Sequence, residues 1–331
     1  MSRCILLPAI GDPMLVKMWI AQYLKCANSH VDNLYVIVNS AYPQEIRNYS
    51  EKLFKEIGAV VVGNYPNMKT HGVILRELFE NSTEDLVMLI EDDCFLFNRN
   101  EIDKCFRGIE KEEYDLAGSP RGSCTMELWD AAKTKWGLDY SGARDVGPNF
   151  WPNCLFVKRT DLLRTDLYFG EKEFKAGEYI ASVDYTMKET GYGDTLVWMS
   201  LQLRGLGLRV KEIPQYHGSL QELSHYNKHQ GLWDGYAPWT HTGSSSSAQS
   251  LLMDKMIPEA NTYEEKLELE RRLAWWVLAY RNYGNQFDIN DEVDIRRYVD
   301  DCNSHCNNII LRCSLSNKNI TTLVRGYESL L

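Results

Sequence analysis

The stretch Asp85 to Phe97, DLVMLIEDDCFLF, runs from apolar residues directly into three consecutive acids, Glu91, Asp92 and Asp93. An uninterrupted apolar run of this kind is typical of a strand that is buried on both faces of a sheet. Acids that follow such a strand lie in the crevice at the strand ends, where open α/β sheets bind ligands. Adjacent carboxylates repel one another unless a cation joins them, and hard oxygen ligands suit Mg²⁺ or Mn²⁺. The stretch predicts a metal and diphosphate site, against the alternative of a strand that ends in a solvated acidic turn.

Strand-like and helix-like segments alternate ahead of this stretch. The predicted strands are CILLPAI, LYVIVNS, AVVVGN and LVMLI, and the predicted helices span Met14 to Cys26, Pro43 to Ile57 and Val73 to Glu80. This alternation predicts a sheet whose parallel strands are joined by crossover helices. Asp12, Asn39 and Asn64 each stand just past a predicted strand. We therefore expect them on the same side of the sheet as the acids, where they can enclose a nucleotide base and ribose.

The second half of the chain is less regular. Residues 117–145 are rich in Gly, Ser and Trp without a strong period, and predict an excursion from the sheet at the active site. NCLFVKR and LRVKEIP are predicted strands, and Asp194 to Gly205 is a predicted amphipathic helix. The run GSSSS, within a segment that carries four histidines, indicates a loop that folds over the site. We expect a core over residues 1–220, a lid loop over 221–258 and a helical C-terminal segment over 259–331.

Composition narrows the class of protein. No apolar run reaches membrane-spanning length, and the start MSRCILLPAIGD meets aspartate and proline too early for a signal peptide. These features predict a cytoplasmic protein without a membrane partner. Nine scattered cysteines without a CxxC pair are expected to be mainly buried thiols. A net charge of −10 disfavours indiscriminate binding to nucleic acid, although it allows a local basic cleft.

Several motifs, in order along the chain, resemble those of the GT-A class of nucleotide-sugar glycosyltransferases. PAIGD and VIVNS end the first two strands, His71 and Gly72 open a helix, and the acid triplet is similar to the DxD element of that class. GYGDTLVWMSLQLRGLGLRV resembles the segment that supplies the catalytic acid, and IPQYHGS resembles the segment that supplies a histidine ligand. The resemblance covers roughly Arg3 to Ser219. It implies a Rossmann-like mixed sheet flanked by helices, with the C-terminal helices as an appendage.

The resemblance also implies roles for individual residues. Donor-binding positions are Pro8, Ala9, Asp12, Asn39, His71, Glu91, Asp92 and Arg121, and Arg121 can bridge phosphate. The metal ligands are Asp93 and His217, the metal is Mn²⁺ or Mg²⁺, and the partner is a nucleoside diphosphate sugar. Asp194 is the implied general base of an inverting transfer. Trp151 and Trp198 are candidates for an apolar wall beside it. The chain departs from the commonest form of the class because Gly193, and not an acid, precedes Asp194, which leaves a plain helix N-cap as the alternative role for Asp194.

The acceptor is predicted from a looser likeness. SPRGSC, GPNFWPN and GLWDGYAPWTHTGS are similar to segments of viral and base-J-type enzymes that glycosylate hydroxymethylated pyrimidines in DNA. On this hypothesis the acceptor-binding residues are Trp151, Trp233, Trp239 and His241. The basic residues that would follow the DNA phosphates are Arg121, Lys133, Lys135, Arg144, Lys158, Arg159 and Arg164. The alternatives are a cytosolic transferase that acts on a polysaccharide or a protein, and a nucleotide-sugar-binding domain without activity.

Overall fold

The computed structural model describes residues 1–11, 13–40, 44–67, 69–92, 94–96, 100–121, 124–138, 146–213, 232–234 and 317–328. The first half of the chain alternates strands and helices as predicted. Its elements are β1 (Arg3–Ala9), α1 (Pro13–Cys26), β2 (Asn33–Asn39), α2 (Gln44–Glu56), β3 (Val60–Tyr65), α3 (His71–Asn81), β4 (Leu86–Leu89), β5 (Cys94–Leu96) and α4 (Glu101–Glu110). The bounds follow the apolar runs closely because the inner strands bury nearly every side chain, as β4 does at all four positions.

Shorter elements follow in the second half. They are β6 (Leu116–Arg121), α5 (Met126–Trp136), β7 (Val146–Lys158), α6 (Arg159–Leu162), β8 (Lys172–Phe174), β9 (Tyr179–Ile180), β10 (Tyr185–Thr186), β11 (Gly191–Gly193), α7 (Val197–Gly205), β12 (Val210–Glu212), β13 (Leu232–Asp234) and α8 (Asn317–Glu328).

Seven of the described strands form one sheet in the order β12, β6, β7, β4, β1, β2, β3. Strand β7 runs antiparallel to its neighbours β4 and β6, and the other pairs are parallel. The sheet is therefore mixed. Helices cover both of its faces, which confirms the predicted fold class of a mixed α/β sheet flanked by helices.

The two faces of the sheet bury separate hydrophobic clusters. Ile5 and Leu7 of β1 belong to the cluster that α1, α2 and α4 cover, and Trp19 is its largest buried side chain. Leu6, between them, belongs to the cluster that α3 and α7 cover. Successive side chains of a strand point to opposite faces, so one continuous apolar run supplies both cores.

Strands β1, β2, β3 and β4 run parallel. Their carboxyl ends therefore lie at the same end of the sheet, which we call the site edge.

Two expectations about the second half need correction. The stretch 117–145 was expected to leave the sheet, yet residues 117–121 belong to β6 of the sheet and α5 follows them. Helix α7 begins at Val197 and not at Asp194. In the predicted lid loop, β13 is a short strand that pairs antiparallel with β5, directly after the acid triplet. Of the predicted helical C-terminal segment, the described part is α8, and both predicted domain boundaries lie outside the described residues.

Two composition-based expectations concern the whole chain. The six cysteines in the described ranges are free thiols, five of them buried, which agrees with the prediction. Among the helices of the described ranges, none combines the length and the apolar character needed to cross a bilayer.

Candidate active site

The acid triplet at the end of β4 begins with two residues that differ in their surroundings. Asp92 is 2% exposed, and its Oδ2 accepts a hydrogen bond of 2.7 Å from the backbone N–H of Ile10. The backbone N–H of Cys94 donates to the carbonyl of Glu91 at 3.2 Å, and the Gln22 side chain donates to the carbonyl of Cys94 at 3.0 Å. Asp92 therefore fastens the end of β1 to the end of β4. A buried acceptor of this kind holds the shape of the crevice.

Glu91 faces the first residue of α3. The Nε2 atom of His71 lies 3.4 Å from Oε1 of Glu91, and the side chains are 24% and 20% exposed. Burial lowers the pKa of His71 to about 4, so the imidazole is neutral at physiological pH. A neutral imidazole at the start of a helix thus lies beside a partly exposed carboxylate at the end of a strand. Contact of either residue with a sugar donor remains a prediction.

The predicted nucleotide-binding residues on the other strand ends are engaged with the protein itself. The Asn39 amide donates to the carbonyl of Lys69 at 2.9 Å and accepts from its N–H at 2.9 Å, so it holds the chain just ahead of α3. Asn64 accepts from Arg47 at 3.2 Å and donates to Glu51 at 2.6 Å. Both side chains brace the site edge. Their direct contact with a nucleotide remains a prediction, as it does for Pro8 and Ala9, which are buried at the end of β1.

Helix α3 touches the second half of the site through two glycines. A Cβ atom on Gly72 would lie 2.3 Å from Cα of Gly170 and 2.5 Å from its nitrogen. The neighbouring Phe169 carbonyl accepts a hydrogen bond of 2.9 Å from the N–H of Leu196. The segment 169–170 thus contacts both the helix that begins at His71 and the chain next to Asp194. These two groups of candidate residues are held together by backbone contacts.

We expect Gly72→Ala to destabilise the protein by roughly 1–3 kcal/mol, because the new methyl group meets backbone atoms that cannot rotate away. Urea unfolding followed by circular dichroism measures the change. Val73→Ala is the matched control, since Val73 is 50% exposed on the same turn. That variant should stay within about 0.5 kcal/mol of the wild type. Equal stability of Gly72→Ala and the wild type would contradict the close packing of α3 on Gly170.

Asp194 lies between β11 and α7. Its Oδ1 accepts a hydrogen bond of 2.7 Å from the N–H of Thr195. Helix α7 starts three residues later, and its N-cap residue is Leu196 in a left-handed conformation with φ of 64°. Asp194 is therefore not the N-cap. Burial raises the pKa of Asp194, the hydrogen bond from Thr195 opposes this shift, and the negative charge of Glu171 adds to it. A carboxylate with a raised pKa is a stronger base than an ordinary aspartate.

A two-stranded antiparallel ribbon carries Asp194 at its end. Strand β11 pairs with β8, so that Gly193 is opposite Lys172 and Tyr192 is opposite Glu173. On the other side, Thr125 donates its N–H to the carbonyl of Tyr192 at 2.8 Å. An open groove of about 700 Å³ lies along this ribbon, lined by Cys124, Thr125, Glu173, Thr190, Gly191 and Tyr192. Tyr192 is 49% exposed in it, so an aromatic ring and polar side chains face solvent close to Asp194.

Trp198 does not form the expected wall beside Asp194. Its indole N–H donates to Asp166 at 2.6 Å, and its ring packs 6.0 Å from the Phe174 ring, with Nζ of Lys172 at 4.6 Å from its centroid. Phe174 and Lys172 point to the opposite face of the ribbon from Tyr192 and Asp194, because side chains alternate along a strand. The burial of Asp194 therefore comes from other groups.

Several predicted site residues are described only in part or lie outside the described residues. Arg121 ends β6, Trp151 lies within β7 and Trp233 lies opposite Phe95 in the β13–β5 pair, each with its backbone alone described. Asp12, Asp93, His217, Trp239 and His241 lie outside the described residues. Among the side chains that are described, no three His, Cys, Asp or Glu residues are grouped closely enough to hold a metal ion.

Three of the basic residues expected to follow DNA phosphates lie away from the site edge or are paired within the protein. Lys158 is opposite Leu86 at the start of β4, which is the edge of the sheet away from the site. Arg159, next to it, donates to the Phe79 carbonyl at 3.2 Å and to Ser82 at 3.0 Å. Arg164 forms an ion pair of 3.0 Å with Asp161. The expectation of a continuous basic track is therefore wrong for these three residues.

Sequence reasoning missed the residues that surround Asp194. Glu171 and Tyr192 come close to it only through the pairing of β8 with β11, which no local pattern announces. Glu127 was also missed. It accepts hydrogen bonds from the Tyr185 hydroxyl at 2.8 Å and the Lys188 N–H at 2.5 Å, and so ties α5 to the loop ahead of β11. Its position in the first turn of α5 was the one available signal.

Comparison with known proteins gives distant structural likenesses. No family model matches the sequence, and no curated protein matches it. Glucosyl-3-phosphoglycerate synthase from Mycobacterium tuberculosis, in complex with Mn²⁺, uridine diphosphate and glucosyl-3-phosphoglycerate, is 15% identical with a TM-score of 0.37, over 49% of this chain and 58% of that one. A structure described as a mycobacterial protein is 15% identical with a TM-score of 0.36, over 53% of this chain and 56% of that one. The chain thus spans less than two thirds of either protein.

Proposed function

We propose that this protein is a metal-dependent glycosyltransferase that uses a nucleoside diphosphate sugar, with a uridine diphosphate sugar as the favoured donor. The observation that carries the proposal is that the segment 169–170 contacts both groups of candidate residues. It packs against α3, which begins at His71 beside Glu91, and it bonds to the chain next to Asp194. These contacts support a common site for the acidic strand end and the half-buried Asp194 carboxylate, whose pKa is raised. Such a pair suits transfer of a group from a diphosphate to a hydroxyl.

The reaction needs a base on the side of the site where the hydroxyl group of the sugar acceptor binds. The acceptor oxygen forms a bond to the anomeric carbon while the bond from that carbon to the diphosphate oxygen breaks. The hydroxyl proton passes to the Asp194 carboxylate, and the nucleoside diphosphate leaves with the bonding electrons. The hydrogen bond from Thr195 orients the carboxylate for this transfer. A single displacement of this kind inverts the configuration at the anomeric carbon, so we propose an inverting enzyme.

The predicted metal ligands fit a divalent cation by their chemistry. Asp93 supplies hard oxygen atoms and His217 an imidazole, a donor set that suits Mn²⁺ or Mg²⁺. Asp92 does not belong to this set, because its carboxylate holds the N–H of Ile10 in a buried position. When bound, the cation supplies charge that stabilises the departing diphosphate. Glu91 and His71 then act as the donor-side wall.

The acceptor is proposed to be a neutral hydroxyl compound such as a carbohydrate. Glu173 lines the groove next to Tyr192, and Asp194 and Glu171 continue the same ribbon. Carboxylates accept hydrogen bonds from hydroxyl groups, and an exposed aromatic ring covers an apolar sugar face. The same carboxylates would repel a chain of phosphates. They therefore favour a polysaccharide or glycosylated acceptor over DNA.

The second candidate remains a hydroxymethylated pyrimidine in DNA. The observation that favours it is the pairing of Trp233 opposite Phe95, two residues after Asp93, which brings this tryptophan position close to the acidic strand end. An aromatic side chain there could offset part of the few kcal/mol, on the order of one unstacking step, that extrusion of a base costs. This candidate is weakened because Lys158, Arg159 and Arg164 are not placed to follow DNA phosphates.

The test is an assay for released nucleoside diphosphate with Mn²⁺, Mg²⁺ or a chelator, across a panel of nucleotide sugars. We expect release with a divalent cation and none with the chelator. Parallel reactions contain oligosaccharides or hydroxymethylated DNA, and mass spectrometry of the products identifies the acceptor. A sugar mass added to an oligosaccharide supports the first acceptor, and one added to the base supports the second. Metal-dependent diphosphate binding without turnover on any acceptor would indicate a binding domain, and absence of binding would overturn the proposal.

A further inference from the structure

A second carboxylate, that of Glu171, lies at the same end of the ribbon as Asp194. In the β8–β11 ladder, Gly191 faces Phe174, Tyr192 faces Glu173 and Gly193 faces Lys172. Asp194 and Glu171 are the residues that follow the last of these pairs on the two chains. Beyond them, the N–H of Leu196 donates a hydrogen bond of 2.9 Å to the carbonyl of Phe169. The two chains therefore stay close together past the end of the ladder.

Opposite residues in an antiparallel pair project from the same face, so Tyr192 and Glu173 share one face of the ribbon. The Glu171 carboxylate reaches that face as well, because it contacts Tyr192. A side-chain hydrogen bond joins the Tyr192 hydroxyl to Glu171, and together with burial it raises the pKa of Tyr192. The Tyr168 hydroxyl donates to the Glu171 carbonyl at 2.6 Å. Glu171 is therefore held from two sides, by its carboxylate and by its backbone.

The close packing around Gly193 explains why the second acid comes from the opposite strand. A Cβ atom on Gly193 would lie 2.8 Å from the Phe174 ring and 2.8 Å from a methyl group of Val197. Gly193 is buried against the small cluster that Phe174 and Val197 share with α5. An acidic side chain at residue 193 would enter this apolar cluster and would not reach the groove. Glu171 supplies negative charge on the face where Asp194 is found.

We propose that Glu171 is a positioning residue that keeps Asp194 a strong base for the transfer reaction. This inference rests on the proposed function of the site. Two carboxylates on one face repel each other, so the charge of Glu171 makes the ionised form of Asp194 less stable and its conjugate acid more stable. Burial is the largest cause of the raised pKa of Asp194, and the negative charge of Glu171 raises this pKa further.

Other charged groups near Asp194 act less directly. Glu173 shares the face of the ribbon but lies one pair further from Asp194, opposite Tyr192. The ammonium group of Lys172 is on the other face, 4.6 Å from the Trp198 ring centroid and paired with Glu178 at 2.9 Å. On α7 the charged residue Arg204 pairs with Glu212 at 2.7 Å. Glu171 is thus the charged neighbour whose removal should change Asp194 most.

The experiment removes the negative charge of Glu171 and nearly keeps the size of its side chain. In Glu171→Gln we expect turnover at neutral pH to fall roughly 3- to 10-fold, since a general base is weakened and not removed. The Michaelis constant for the donor should stay unchanged. The acid limb of the pH profile should move to lower pH, because Asp194 loses a like-charged neighbour and holds its proton less tightly. Glu171→Asp keeps the charge and should keep the wild-type pH profile.

A carbon-13 NMR titration of the resting protein tests the same inference without turnover. The Asp194 carboxyl signal is identified by its absence in Asp194→Asn. We expect this signal to titrate at lower pH in Glu171→Gln than in the wild type. The control Glu189→Gln removes an exposed carboxylate from the loop ahead of β11 and should leave the midpoint unchanged. An equal midpoint in wild type and Glu171→Gln would overturn the inference, whereas normal turnover in Asp194→Asn would instead overturn the proposed base.

Discussion

Replacement of Asp93 by alanine is expected to abolish sugar transfer and metal-dependent binding of the nucleoside diphosphate. The two preceding acids are already engaged: Glu91 lies 3.4 Å from His71, and Asp92 is buried on the N–H of Ile10. Asp93 is therefore the member of the triplet on which we expect the cation to depend. Loss of a hard oxygen ligand removes the charge that holds the diphosphate. Calorimetric titration with uridine diphosphate, with and without Mn²⁺, measures the binding.

The neighbouring acid gives the matched contrast. Asp92→Ala should lower the stability to urea by roughly 1–3 kcal/mol, because the buried N–H of Ile10 loses its acceptor. Asp93→Ala should unfold at the same urea concentration as the wild type. The two variants separate a structural acid from a metal-binding acid at adjacent positions. Metal-dependent diphosphate binding of wild-type strength in Asp93→Ala would contradict the assignment.

The first half of the fold was predictable because its signals are local. Strand β4 is a continuous apolar run whose four residues are all buried, and the helices between the strands alternate with such runs. In contrast, β6 contains Gly118, Ser119 and Pro120, which do not favour a strand. Pairing with β7 and β12 imposes the extended conformation on it. Tertiary contacts of this kind leave no periodic pattern in the sequence.

Helix α5 was missed although its signals were present. Glu127 lies in the first turn, Lys133 and Lys135 lie in the last turn, and Gly137 ends the helix with φ of 61°. These are the charge and glycine preferences of helix ends. The hydrophobic face is narrow, with Leu128 and Ala132 as its buried residues, so the period was weak. The residues at the two ends of the helix would have been more informative here than the periodicity of its hydrophobic residues.

The candidate site was predictable only where its residues follow a strand. Asp194 was found from its motif, but its helix was placed three residues too early, because Leu196 adopts a left-handed conformation that delays α7. The neighbour of Asp194 could not be found from sequence, since Glu171 comes from the other strand of the ribbon. Register between distant segments is set by packing, here by the cluster around Phe174.

Asp194→Asn is expected to cut turnover by about 100-fold or more, the usual scale for a lost general base. The amide can still accept the hydrogen bond from Thr195, and it cannot take up the acceptor proton. The raised pKa of Asp194 means that the folded state binds this proton more tightly than the unfolded state. The stability that the bound proton contributes is present below the unfolded pKa and is lost as pH rises through the folded pKa. Because the folded protein favours the neutral form of this side chain, the neutral amide of asparagine should be tolerated at neutral pH, and the fold should survive.

Two measurements on Asp194→Asn separate a base from a binding residue. Donor binding in the presence of Mn²⁺ should equal that of the wild type, because the change lies on the acceptor side of the site. The acid limb that the wild-type pH profile owes to Asp194 should be absent from the residual activity. Asp184→Asn, in an exposed turn with φ of 53°, is the matched aspartate control, since asparagine tolerates this conformation well. Near-normal turnover in Asp194→Asn would leave Asp194 without a role in proton transfer.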